Sequence, residues 1–403
     1  MRRIHLPTAK SQIARPNTIR DINKQIVLNY VRERAPISRA EIARETELQR
    51  STVSAIVDEL QTSGLIEEIG IGSSTGGRKP TLLRLKAGGP VAIGVDLDPR
   101  RTTIAIADLL GKVLEKEEFP TSPDAVFMTN QIIERISKIT NKYNKSNLEV
   151  GISVPGIADQ VNGKTLYIPY FQWHDWDICQ QITEKLGIFA TIDNDANAIA
   201  TAELWFGRKN NRKIDNFITV LVSQGIGTGI VFEGQVYRGE RGAAGEFGHM
   251  IIGVEAPVEC SCGGKTCWEP HASEGAIIAR YKQSFANNGN STNFEAVTFP
   301  MIMSLAEQGE KHAIEALRES AKFLGIGIAN LIVGLSPQAV IIGGNITRVW
   351  EIIKDEVLSV AKRGIIRDLP HPLITASTLG DNPTLIGALS LVLARKFAAA
   401  NQN

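Results

Sequence analysis

Residues 91–119 read VAIGVDLDPRRTTIAIADLLGKVLEKEEF. β-Branched and apolar residues alternate through this stretch, with one turn at Asp98-Pro99 and another at Leu110-Gly111-Lys112. The pattern predicts two or three strands. A helical stretch at 124–141 follows, and then an apolar strand, LEVGISVPG, at 148–156. Strands, a helix and a further strand in this order open an α/β lobe.

The order resembles the ribonuclease-H-like lobe of the actin and sugar-kinase superfamily. Kinases of that superfamily carry an Asp-x-Gly-Gly-Thr pattern at the first turn, where glycine lets the backbone approach the ATP phosphates. The corresponding residues here are Asp96-Leu97-Asp98-Pro99-Arg100-Arg101-Thr102. Asp96 is kept and the two glycines are not. Pro99 removes a donor and fixes φ, and Asp98 adds negative charge where phosphates would sit. A different hairpin turn would account for the same residues, and on either reading the nucleotide site is degraded. Two other glycine turns survive, at Ser223–Gly229 and at Gly343-Gly344-Asn345. Both can serve the fold alone.

Upstream, residues 20–34 place Ile22, Ile26, Val27, Tyr30 and Val31 at helical spacing. Pro36 ends that helix, and Ser38 opens a capping box with Glu41. A second helix covers RAEIARETE. A third starts near Arg50, buries Val53, Ile56, Val57 and Leu60, and closes at Gly64. The other face of its first turns shows Gln49, Arg50, Ser51, Thr52 and Ser54, types that reach phosphates and base edges. Two short apolar strands around SSTGGRKP then form a wing. Its Arg78 and Lys79 can enter a narrow minor groove. Residues 1–86 carry a net charge of +6 and the remainder −5. A three-helix protein-interaction module is the alternative. The helix–helix–helix–wing order with this charge asymmetry favours double-stranded DNA.

Three constellations in the body carry chemistry. Asp193-Asn194-Asp195-Ala196-Asn197 lies at a strand-to-helix turn. Carboxylate and amide groups there can hold sugar hydroxyls, and in a kinase Asp195 would be the base. Helix N-capping explains the same residues. Next, His249, Cys260, Cys262 and Cys267 fall within 19 residues and make a Cys₃His tetrahedral set suited to structural Zn²⁺. Glu246 and Glu269 bracket that segment, and a metal-bound His249 would keep its second N–H for a ligand hydroxyl. Cys179, in an apolar helix, reads as a buried inert thiol. Finally, TLYIPYFQWHDWDI at 165–178 packs five aromatics and a His into a short loop. Sugar stacking and burial between lobes are equally good accounts of it.

At 403 residues, the chain exceeds one compact core. No apolar run approaches the ~18–20 residues a membrane span needs, and MRRIHLPTAK lacks the apolar core of a signal peptide. The expected location is the cytoplasm, where cysteines stay reduced and metal binding is favoured over disulfides.

Taken together these motifs resemble the ROK family (repressors, open reading frames and kinases), in its branch of N-acetylglucosamine and xylose repressors. The motifs are Gly77-Arg78-Lys79-Pro80, the VPG turn at 154–156, Asn194-Asp195-Ala196-Asn197, Glu246-Phe247-Gly248-His249, the cysteine segment through Glu269, and NPTLIGALSLVLA. Thr266 stands where the family usually has Gly. The resemblance implies sugar contacts from Asn194, Asp195, Glu246, His249 and Glu269, and zinc ligation by His249, Cys260, Cys262 and Cys267. It also implies homodimers or homotetramers.

The expected fold is α/β: a winged helix-turn-helix over 1–86, then a two-lobed actin-like, sugar-kinase body. Its lobes span 87–195 and 196–403, with the last helix, about 382–399, returning to the first lobe. The expected function is sugar-responsive repression, with a sugar or sugar phosphate in a cleft that no longer phosphorylates and Asp195 as a vestigial base. One rival is an active sugar kinase with a DNA-binding appendage. Another is a regulator governed by a protein partner such as a transport component.

Overall fold

The computed structural model describes residues 16–72, 79–143, 148–207, 214–286, 297–365 and 370–398. They divide into two compact units. One holds the described residues through Gly89 with Asp108–Lys112 and the chain from Leu393; the other holds Pro90–Ala107 and Val113–Val392.

In the first unit, α1 (Pro16–Arg34), α2 (Arg39–Thr46) and α3 (Arg50–Thr62) precede a sheet in the order β1-β3-β2. Its strands are β1 (Ile37–Ser38), β2 (Ile66–Ile71) and β3 (Thr81–Leu85). The first helix thus begins four residues earlier than its apolar spacing indicates. Ser38 caps α2: Glu41 N donates to its hydroxyl at 3.3 Å, and Ser38 N donates to the Glu41 carboxylate at 2.9 Å. Val53, Ile56, Val57 and Leu60 form the buried stripe of α3. Helix α3 packs on α1 and α2, where Val27, Val31 and Ile42 are also buried. The wing tip at 73–78, with Arg78, lies outside the described residues.

The second unit contains two five-stranded sheets. The first runs β11-β7-β4-β5-β6. Its strands are β4 (Pro90–Leu97), β5 (Arg101–Asp108), β6 (Val113–Pro120), β7 (Glu149–Val154) and β11 (Ala190–Asn194). Nearly every residue of β5 is buried, as expected of a strand covered on both faces. Helices α4 (Ala125–Thr140) and α5 (Ile178–Leu186) cover one face with Met128, Ile132, Ile136 and Ile182. The opposite face receives α12 (Pro383–Ala398). A Cβ on Gly151 would lie 2.0 Å from the Ala388 carbonyl oxygen, and one on Gly94 would lie 2.8 Å from Leu389. At Gly151 backbone touches backbone, which only glycine permits. A small sheet, β10-β9-β8, hangs beside this lobe: β8 (Ile157–Asp159), β9 (Lys164–Ile168) and β10 (Trp173–Trp176). The aromatic stretch at 165–178 is therefore a hairpin entering α5, not a free loop.

The second sheet runs β14-β13-β12-β15-β16, built from β12 (Phe217–Val222), β13 (Ile226–Phe232), β14 (Gln235–Tyr237), β15 (Ala339–Gly343) and β16 (Leu373–Ala376). Helix α6 (Asp195–Phe206) packs on β12 and β13. The other face is covered by α7 (Glu269–Ala272), α8 (Glu274–Ala286), α9 (Phe299–Glu307), α10 (Lys311–Leu335) and α11 (Trp350–Gly364). Glu310 starts α10 by accepting the His312 and Ala313 backbone N–H groups. Trp268 is fully buried at the centre of this core. Its Nε1 donates to the Phe323 carbonyl at 2.8 Å, and a Cβ on Gly327 would fall 1.9 Å from its ring.

Candidate functional site

The two sheets of the body present their turns to a cavity of about 330 Å³. Asp96, Asp98 and Pro99 enter it from the β4–β5 turn, and Asn194 and Asp195 from the β11–α6 junction. Gln224, Gly225 and Thr228 come from the β12–β13 hairpin, and Glu246, His249, Ser261, Cys262 and Glu269 from the segment beyond it. All five residues for which sugar contact was expected line this one cavity.

Local chemistry fixes each of them. Asn194 accepts from the backbone N–H of Ala196 at 2.9 Å and of Asn197 at 3.3 Å, and its amide donates to the Gly156 carbonyl at 3.1 Å. It is both an N-cap and a cavity residue. Burial pushes the Asp195 carboxyl up to about 7, and Asp96 adds to the effect. Asp96 itself is pushed up to about 7 by burial, against a hydrogen bond from Thr384 Oγ1 at 2.6 Å. Thr384 lies in α12, so the last helix closes this end of the cavity. Glu269 Oε2 accepts the Ile226 N–H at 3.1 Å, while Oε1 accepts from Ser261 at 3.3 Å. A Cβ on Gly225 would sit 2.4 Å from that carboxylate, so the hairpin glycine makes room for it. Glu246 stands half-exposed at the mouth, with its carboxyl raised by burial.

His249, Cys260, Cys262 and Cys267 bring their ligand atoms within 4.8 Å of one another. His249 Nδ1 lies 3.2 Å from Cys260 Sγ, and Cys262 Sγ lies 3.6 Å from Cys267 Sγ. Those spacings fit a tetrahedral ion with bonds of ~2.0–2.3 Å. The second ring nitrogen, Nε2, faces the Glu246 carboxylate at 3.9 Å. The set can hold a metal ion. Its loop is anchored to the core: Trp268 N donates to Met250 O, and Ile252 N to Thr266 O, both at 2.8 Å. Behind it, His271 donates from Nε2 to Val254 O at 2.9 Å and stacks on Phe323 at 4.3 Å. Burial lowers the His271 pKa below the ordinary imidazole range. Cys179 is buried in α5, and burial pushes its thiol up.

The aromatic hairpin divides between its two candidate roles. Tyr167 and Tyr170 line the cavity. Phe171 and Trp173 are buried, and Trp176 donates to Thr129 at 2.9 Å.

Two features carry no local sequence signal. Asp193, 1% exposed, is bound by Arg238 through Nε at 2.8 Å and Nη2 at 2.7 Å. The pair joins β11 to the segment after β14, and only the fold brings them together. The Thr384–Asp96 bond spans most of the body in the same way.

In the first unit, Gln49, Arg50, Ser51 and Lys79 are exposed, and Thr52 and Ser54 are half-buried. Gln49 holds the N-cap position of α3 without a side-chain cap bond, and the first turn contains no acid.

Residues 92–395 match the ROK family, and residues 26–78 match the MarR family. The chain belongs to the ROK family. This ROK chain is 31% identical over 386 residues to the xylose repressor of Bacillus subtilis, covering 94% of the chain and 97% of that protein. Its fold is similar, with a TM-score of 0.80 and 23% identity, to a ROK family transcriptional regulator described as a homologue of the E. coli Mlc protein. That match covers 95% of the chain and 98% of the other. A ROK family glucokinase from Streptomyces griseus, solved with glucose and AMPPNP, matches at a TM-score of 0.67 and 27% identity. It covers 75% of this chain and 99% of its own. The chain thus carries a winged helix-turn-helix followed by a ROK body, as the sequence motifs imply.

Proposed function

We propose that this ROK protein is a sugar-responsive DNA-binding repressor whose body senses sugar without phosphorylating it. The observation that carries the non-catalytic part is the β4–β5 turn. Asp98 Oδ1 accepts the backbone N–H of Arg100 at 2.8 Å and of Arg101 at 3.4 Å. The donors that would cradle a nucleotide phosphate are occupied by the chain's own carboxylate. Asp195 remains as the vestige of a base, beside a turn unsuited to ATP.

In this reading Asn194, Asp195, Glu246, His249 and Glu269 take the sugar hydroxyls. His249, Cys260, Cys262 and Cys267 hold Zn²⁺, which cross-links the loop and supplies no chemistry beyond that. The ion and Trp268 together fix Glu269 and the Nε2 edge of His249 toward the cavity. Gln49, Arg50, Ser51, Thr52 and Ser54 address the major groove, and Arg78 and Lys79 the minor groove. A homodimer or homotetramer in the cytoplasm sets the spacing of two recognition helices. Sugar must favour one spacing by several kcal/mol to switch occupancy.

The test is operator affinity by fluorescence anisotropy, on fragments selected from genomic DNA by the full-length chain, across a panel of sugars. At least one sugar should shift the affinity tenfold or more. A panel without effect refutes sugar sensing. ATP turnover on any hexose that is abolished by Asp195→Asn refutes the non-catalytic reading.

A further inference from the structure

We propose that the effector is an uncharged, unphosphorylated monosaccharide, and that Asp98 is the residue that turns phosphate esters away. This rests on the cavity being the effector site. The residues lining it include Asp96, Asp98, Asp195, Glu246 and Glu269, and among the described lining residues there is no lysine or arginine. Arg238, on the segment between β14 and the cavity, spends its guanidinium on Asp193.

Several of the neutral donors around the cavity are also engaged. Asp98 holds the N–H groups of Arg100 and Arg101. Asn194 holds those of Ala196 and Asn197, which closes the N-terminus of α6 to a phosphate. Glu269 holds that of Ile226, Asp96 holds the Thr384 hydroxyl, and Gly245 O holds the Thr228 hydroxyl at 2.6 Å. The metal centre does not reverse the balance, because three thiolates and a neutral imidazole around a divalent ion sum to a net charge of −1. What this wall offers is acceptor oxygen. Sugar hydroxyls donate to such oxygens, whereas a phosphate dianion meets like charge at short range in a half-buried cleft.

Calorimetric titration of the full-length zinc-loaded protein decides the matter. The probes are glucose, xylose and N-acetylglucosamine against glucose 6-phosphate, xylose 5-phosphate and N-acetylglucosamine 6-phosphate. Whichever parent sugar binds, its ester should bind at least ~10-fold more weakly, the scale of one added like-charge contact. In Asp98→Asn, whose amide oxygen can still accept the turn's N–H groups, the ratio of ester to parent affinity should narrow severalfold. An ester binding within tenfold of its parent, or more tightly, overturns the proposal and leaves the effector cavity standing. A wild-type ratio as expected that Asp98→Asn fails to move overturns the role given to Asp98. Absence of binding by every compound in both series sinks the effector cavity itself.

Discussion

Replacing Asp96 with Asn should make the body more stable at neutral pH. Asp96 has an ordinary value of 3.8 and is pushed up to about 7 by burial, more than the Thr384 hydrogen bond can offset. Between those values the folded chain binds a proton that the unfolded chain has released. Stability therefore falls as pH rises through this window, and the loss is complete above the folded value. The displacement corresponds to about 4 kcal/mol, against a total of about 5–15 kcal/mol for a typical domain. Asn cannot ionise, and its Oδ1 can accept the Thr384 hydroxyl as Asp96 Oδ2 does at 2.6 Å. Roughly two-thirds of the window lies above pH 5, so the stability gap between variant and wild type should widen by about 2–3 kcal/mol from pH 5 to pH 8. Urea unfolding followed by tryptophan fluorescence measures this in the full-length protein. All five tryptophans lie between Trp173 and Trp350, so the signal reports the body and not the DNA-binding unit. A gap that stays constant with pH, or an Asn variant that loses ground as pH rises, would refute the reasoning.

Gly327→Ala should lower the melting temperature of the body sharply, because its Cβ would sit 1.9 Å from the Trp268 ring; overpacking of this kind costs ~1–3 kcal/mol or more, and an unchanged calorimetric melt contradicts the packing. Cys262→Ser should reduce bound zinc below one ion per chain by atomic emission and lower the same melting temperature, and full metal retention would contradict the ligand assignment. Arg50→Ala should weaken operator binding by about 1–3 kcal/mol if it contacts a base, or reduce the salt slope by about one if it contacts a phosphate; unchanged affinity with unchanged slope removes Arg50 from the interface.

Local grammar made much of this legible. The capping box at Ser38 and Glu41 and the apolar stripe of α3 are set by neighbours within a few residues, so spacing alone locates them. The His249, Cys260, Cys262 and Cys267 quartet is compact in sequence, and the structure brings all four together. The Asp98-Pro99 sequence of the β4–β5 turn likewise marks that turn directly. What stayed hidden depends on distant partners. Nothing near Arg238 points to Asp193, and Thr384 shows no sign of Asp96. The 165–178 stretch was ambiguous because its aromatics face two ways, Tyr167 and Tyr170 toward the cavity and Trp173 toward the core. Burial at those positions is a property of the assembled lobe.

The seating of α12 against Gly94 and Gly151 has a consequence for how the chain is made. β11, the last strand of the first sheet, ends at Asn194, and α12 begins only at Pro383. At ~5–20 residues per second, a nascent chain on the ribosome would hold the uncovered face of that sheet for on the order of 10–40 s before its cover emerges. The helices α1, α2 and α3 of the DNA-reading unit are made long before, although that unit also takes in the chain from Leu393. Newborn molecules therefore carry the reader's helices well ahead of a covered first lobe, and a ribosome stalled before Pro383 would leave behind a lobe that cannot close.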